Sequence, residues 1–167
     1  YRMLVMQAPI GICILQGPEF IVEIANDAYL ELAGKQRSNF IHRKLWEVLP
    51  EARDQGFDEI LTRVMQTGLA FRGVEYPVQL IRNGRLETVY VDFVYEPIQD
   101  EKRDTRRIMV LAYDVTDKFL ARQKIEEAEQ DARLGIELAD LGTYEIDIVN
   151  DKILASERFN CIFGFEQ

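Results

Sequence analysis

Apolar positions change rhythm several times along the chain, and each change marks an element. Ile10-Gly11-Ile12-Cys13-Ile14-Leu15 is a short run rich in branched side chains and is closed by Gly17-Pro18, which reads as a buried strand. Phe20–Ala25 reads as a second strand, so the two form a hairpin. Asn26 then suits a helix N-cap, Asp27 suits the positive helix end, and Gly34 suits the stop of a two-turn helix. Arg43–Leu49 reads as another helical turn, ended by Pro50. From Gly56 to Thr67 the period is helical, with Phe57, Ile60, Leu61, Val64 and Met65 on one stripe and Gly68 at the end.

After Gly68 the period becomes two. Val74, Tyr76, Val78 and Leu80 alternate with Glu75, Pro77 and Gln79, and Asn83-Gly84 marks a tight turn. Glu87–Ile98 alternates again, with Val89, Val91, Phe93 and Tyr95 on one face and Tyr90, Asp92, Val94 and Glu96 on the other. A charged loop over 100–107 precedes a last strand, Ile108–Val115. Strands at both ends with helices between predict an α+β domain, its helices on one face of an antiparallel sheet. The other face, with Tyr90, Val94 and Met109 among polar residues, is left for a partner to cover.

Beyond Asp114-Val115-Thr116-Asp117 the chain reads as a charged helix through about Ala139. Ala121, Ile125, Ala128, Ala132, Gly135 and Ala139 are spaced 4, 3, 4, 3, 4, which is a heptad seam of small residues and predicts a parallel homodimer. The tail then echoes the beginning. Tyr29–Gly34 aligns with Phe159–Gly164, and Ala8-Pro9-Ile10-Gly11 aligns with Ala139-Asp140-Leu141-Gly142. This reads as strand, turn, strand and short helix begun a second time.

The chain has 167 residues, enough for one domain and a remainder. Its 47% hydrophobic and 29% charged residues argue against disorder and fibrous repeats. A net charge of −9 disfavours nucleic acid and anionic membrane surfaces, whose affinity comes from basic side chains. Two cysteines, Cys13 and Cys161, cannot form a disulfide framework, and with the single His42 they make no metal-ligand cluster. Both cysteines read as buried, small apolar side chains. No apolar run approaches the ~20 residues that span a bilayer, and no signal peptide is visible. The chain starts at Tyr1 rather than Met, as an excised piece would. A cytoplasmic location is expected, with a parent protein whose flanks leave room for a membrane anchor.

The chain resembles the PAS domain family. The resemblance rests on Ala8-Pro9-Ile10-Gly11-Ile12, Asn26-Asp27-Ala28-Tyr29, Leu45-Trp46-Glu47-Val48-Leu49-Pro50, Tyr95-Glu96-Pro97-Ile98-Gln99-Asp100 and Asp114-Val115-Thr116-Asp117, in that order and spacing. It implies a PAS sensor domain over 1–117, a connecting signalling helix over 118–140, and the start of a second PAS domain over 141–167. The implied fold is a five-stranded antiparallel sheet of order 2-1-5-4-3 with short helices over a pocket. The variety is similar to that in sensor regions of bacterial histidine kinases, whose members often dimerise. One departure is Ile41-His42-Arg43, where a glycine is common after the isoleucine; His42 is expected to alter a loop and not the fold.

The resemblance also frames the chemistry. Covalent flavin sensing needs an Asn-Cys-Arg-type segment, which is missing, and Val91 and Ala112 stand where amides would hold the flavin ring. Haem-binding members use a histidine on the long helix, and Gly56–Thr67 has none. Flavin and haem are therefore disfavoured, and no cofactor is expected. The pocket is expected to be lined by Tyr29, Leu32, Phe57, Ile60, Leu61, Val64, Val78, Leu80, Val91, Phe93, Tyr95, Val110 and Ala112, with Tyr29, Tyr95 and Arg82 as the polar candidates. Any ligand would be small and apolar or aromatic, with a carboxylate for Arg82.

No nucleophile–base pair, phosphate loop or metal set is present, so the fragment reads as non-catalytic. Asp58-Glu59 and Glu126-Glu127 read as solvated surface, and His42 as an exposed imidazole. Asp114 and Thr116 sit where sheet becomes helix and can fix the angle of departure. The expected function is a sensory and dimerisation module of a two-component sensor histidine kinase. Its expected partners are a second copy and the neighbouring PAS and kinase domains. The alternative is a ligand-free interaction scaffold in a PAS-containing cyclic-dinucleotide signalling enzyme.

Overall fold

The computed structural model describes residues 8–99, 105–139, 144–147 and 152–163. The chain divides into two units, the first ending at Phe119 and the second beginning at Leu120. The first unit opens with β1 (Gly11–Gln16) and β2 (Ile21–Ala25), followed by α1 (Asp27–Ala33). Short helical pieces come next: a 3-10 turn at Arg37–Asn39, α2 (Leu45–Val48), α3 (Pro50–Ala52), a π turn at Arg53–Phe57, and α4 (Asp58–Thr67). β3 (Phe71–Arg82), β4 (Arg85–Gln99) and β5 (Thr105–Asp114) complete a five-stranded antiparallel sheet of order β2-β1-β5-β4-β3. α5 (Thr116–Leu138) leaves the last strand after one residue.

Alternation sets which sheet face is buried. Cys13 and Leu15, Val89 to Tyr95 on odd positions, and Ile108, Val110 and Ala112 all face the helices and are buried. α4 adds Leu61 and Val64 from its apolar stripe. α1 is capped by Asn26, whose side chain accepts from the Tyr29 N–H, and it stops at Gly34 in a left-handed conformation. Gly11 is required by close approach: a Cβ there would lie 3.0 Å from the Ala112 carbonyl and 3.1 Å from the Tyr29 Cα.

β3 departs from the simple alternation. A bulge between Gly73 and Tyr76 breaks the pairing with β4, and the Glu75 N–H turns to the Asp92 carboxylate at 2.7 Å. Val74 is consequently 75% exposed, not on the buried face with Val78 and Leu80. The bulge needs a glycine beside it, since a Cβ at Gly73 would overlap the Phe93 ring. On the opposite face Tyr90 stacks on Phe119, with ring centroids 3.8 Å apart, so the chain itself covers part of that surface.

The second unit contains an antiparallel hairpin, β6 (Tyr144–Asp147) and β7 (Lys152–Ala155), followed by α6 (Glu157–Phe163). Its helix cap repeats that of α1 in detail. Ser156 Oγ accepts from the Phe159 N–H at 3.2 Å and the Ser156 carbonyl accepts from the Asn160 N–H. Asn26 does both for Tyr29 and Leu30, 130 residues earlier (26 to 156). Cys161 is exposed on α6, contrary to the expectation of burial, because the only described sheet in this unit has two strands; Cys13 is buried.

The free edge of β2 is covered by 42–45: the Val22 N–H donates to the Arg43 carbonyl at 2.9 Å, and the His42 N–H donates to the Val22 carbonyl at 2.8 Å. This path places exposed His42 at φ 63, a left-handed conformation. A side chain with a Cβ is strained there by ~1–2 kcal/mol, against a glycine entropy cost of ~0.5–1 kcal/mol. His42→Gly is therefore expected to stabilise the first unit by about 0.5–1 kcal/mol. Urea unfolding checks it; an unchanged or lower midpoint would contradict the strain.

Candidate functional site

The sheet and the helical pieces line a partly open cavity of about 70 Å³. The sheet contributes Val78, Leu80, Val91, Phe93, Tyr95, Val110 and Ala112, and the helical side contributes Tyr29, Leu32 and Phe57. These are residues expected from the sequence. Ile60, Leu61 and Val64 are core or near-core but do not line the space. Ala33, Leu45, Trp46, Leu49 and Ala52 do line it. Leu45, Trp46 and Leu49 lie on or just after a four-residue helix, which is too short for periodicity to assign them a face.

Aromatic packing limits the cavity. Phe93 is surrounded by Tyr95 at 4.8 Å, Phe57 and Tyr76 at 5.7 Å, and Phe71 at 5.8 Å between centroids. Four rings on one ring fill what would otherwise be a larger space. Pockets for drug-sized ligands run to ~300–1,000 Å³, so this one accepts a few heavy atoms.

The polar groups around the cavity are few and protonated. The Cys13 thiol and the Tyr29 and Tyr95 hydroxyls lie close enough to act on one another electrostatically. Burial pushes the Cys13 thiol and the Tyr29 and Tyr95 phenols well above their ordinary ranges, and their mutual proximity reinforces the shift for the two phenols. The Trp46 Nε1 is buried without a hydrogen-bond partner among the described residues. Trp46, Tyr29 and Tyr95 are the lining residues that carry a polar group.

Arg82 lies elsewhere. It ends β3, and its guanidinium reaches Glu87 at 3.4 Å and Asp114 at 3.3 Å, so its charge is engaged at the sheet's end and not in the cavity. Asp114 and Thr116 form the junction with α5. The Asp114 carboxylate accepts the Thr116 N–H at 2.9 Å, while the Thr116 hydroxyl accepts the Tyr90 N–H at 2.9 Å. The Val115 N–H donates to the Tyr90 carbonyl at 2.8 Å, which prolongs the β4–β5 ladder into the helix start. With the Tyr90–Phe119 stack, four contacts fasten the first turn of α5 to β4 and β5.

From Leu120 onward α5 is exposed on every side, including Ala121, Ile125, Ala128, Ala132 and Gly135, and Ala139 just after it is exposed too. Among the described residues no group of three His, Cys, Asp or Glu side chains is placed to hold a metal ion. No described helix is long and apolar enough to cross a membrane.

The family model described as the PAS fold matches residues 5–118. Solved structures with the same fold include an RNA-binding light-oxygen-voltage receptor, at 16% identity and a TM-score of 0.61 over 77% of this chain and 36% of that one. This chain thus spans about a third of that receptor. The PAS domain of nitrogen regulation protein NR(II) from Vibrio parahaemolyticus matches at 16% identity and a TM-score of 0.51, over 67% of this chain and 94% of that one. The PAS domain of BvgS from Bordetella pertussis matches at 20% identity and a TM-score of 0.55, over 78% and 94%.

The raised thiol and phenol values have a stability consequence. A group whose folded value is raised contributes stability that is intact below its unfolded value and falls as pH rises above it. With unfolded values of about 8.5 for thiol and about 10 for phenol, stability should decline from about pH 8.5 upward. Cys13→Ala should flatten the decline between about pH 8.5 and 10, and Tyr95→Phe should flatten it above about pH 10. Urea midpoints across that range provide the check; wild-type slopes in both variants would contradict the burial argument.

Proposed function

We propose, from the premise that this chain belongs to the PAS family, that it is a sensory module which passes the state of its sheet to α5. Membership supports a sensory role in signalling with no catalysis in the chain itself. The observation that carries the reading is the junction, where Asp114, Thr116, Val115 and Phe119 tie the helix start to β4 and β5. A change in strand position at Tyr90 must move or break these contacts. Signalling is then a population shift between two helix arrangements, driven by whatever binds them unequally.

The finer reading is a cytoplasmic region of a two-component sensor histidine kinase, working as a homodimer beside neighbouring PAS and kinase domains. The heptad seam and its full exposure support a second copy as the partner of α5. The matching caps of α1 and α6 support a second PAS repeat beginning in the tail. The small, ring-filled cavity supports input from a neighbouring domain or from a ligand of a few atoms, over flavin or haem. The charge of −9 supports protein partners over nucleic acid or an anionic membrane.

Asp114→Ala tests the relay. In the full-length parent, signal-dependent output should fall at least about fivefold, the lower end of ordinary coupling between sites, while the first unit's melting curve persists. Undiminished signal dependence would refute the relay. Sedimentation of this chain as a monomer at tens of micromolar would remove the homodimer.

A further inference from the structure

β3 is an outer strand, so its free edge would ordinarily display unpaired backbone groups. At two residues those groups are taken by side chains from the segment between α2 and α4. The Gln55 amide accepts the Gln79 N–H at 2.7 Å and donates to the Gln79 carbonyl at 2.9 Å, as a neighbouring strand's backbone would. Glu51 Oε1 accepts the Ile81 N–H at 3.0 Å and lies 3.3 Å from Lys35 Nζ. The same segment walls the cavity through Ala52, with the lining residues Leu49 and Phe57 at its two ends.

Both ends of the segment break from helical geometry. Leu49 sits at φ −130, ψ 57, and Gly56 sits at φ 90, ψ −1 within the π turn. A Cβ at Gly56 would meet nothing within 4 Å, so glycine is needed there for its conformation and not for space. Beside the segment is the Trp46 Nε1, buried and without a partner among the described residues.

We propose that residues 50–56 are a gate over the cavity, hinged at Leu49 and Gly56 and latched to the free edge of β3 by Gln55 and Glu51. Opening breaks side-chain bonds and leaves every sheet ladder intact. It exposes the buried Nε1 edge of the half-buried Trp46 and the cavity behind it, and it frees Gln79 and Ile81. Gating does not depend on α5 or on the identity of any signal, so it stands or falls separately from the relay.

Native-state hydrogen exchange on the intact chain, with acrylamide quenching of Trp46, the single tryptophan, tests the gate. The amides of Gln79, Ile81 and residues 52–57 should exchange together, at least about tenfold faster than the β1–β5 ladder around Cys13 and Val110. Gln55→Ala should speed exchange at 52–57 by about a further tenfold and raise Trp46 quenching, leaving the ladder unchanged. Gly56→Ala, which strains only the closed backbone, should act in the same direction. The proposal is overturned if the Gln79 and Ile81 amides of the wild type exchange only as slowly as the ladder. It is equally overturned if Gln55→Ala leaves Trp46 quenching unchanged, or if the ladder amides accelerate in step.

Discussion

The buried carboxamide of Asn26 joins β1 to α1 and sets the direction in which the helix departs. Its Oδ1 accepts the N–H groups of Ile12 at 2.8 Å and Tyr29 at 2.9 Å, and its Nδ2 donates to the Ile10 carbonyl at 2.8 Å. Its own N–H donates to the Ile12 carbonyl. One residue thus extends the β1–β2 ladder, caps the helix and holds the chain before β1. Leaving such groups unpaired inside a core costs about 1–3 kcal/mol each, which is why a polar side chain is kept at zero exposure here. The close contact at Gly11 is a consequence, as is the placement of Tyr29 beside Cys13.

From that corner the core fills outward across the sheet to Phe93 and its ring neighbours. Such packing leaves little room for a large ligand, yet the wall formed by 50–56 is held by side chains and not by ladder bonds. Stability is therefore uneven: rigid along β1, β5 and β4, and divisible at the segment that closes the cavity. On the opposite side of the sheet, Tyr90 carries the contacts that begin α5. Val89 and Val91, buried on either side of it, make the core and the junction parts of one strand.

Much of this was legible because local chemistry and fold agree. Asn26 and Gly34 announce the ends of α1, period two announces β4, and the offset of 130 residues (29 to 159) announces a second short helix, whose cap at Ser156 the structure adds. What was not legible depended on contacts between distant segments. Arg82 is a cation at the end of an apolar strand, and only the fold shows Asp114 and Glu87 beside it. Val74 continues a perfect alternation, and only the bulge turns it outward. Trp46 and Leu49 belong to a turn too short for periodicity to assign a face, and the latch of Gln55 on Gln79 joins two polar residues that read as ordinary surface.

α5 has no buried residue along its 23 positions, and a helix in that state is marginal by itself in water. Whatever order it has at its start comes from the junction. The most direct test of the sheet-to-helix account is amide exchange across 116–126 in the intact chain at graded low urea. The account predicts that the first two turns are protected and open together with the Tyr90 and Val115 amides, in a single step distinct from global unfolding. Exchange of those turns at the rate of a free helix, with Tyr90 and Val115 still protected, would contradict it.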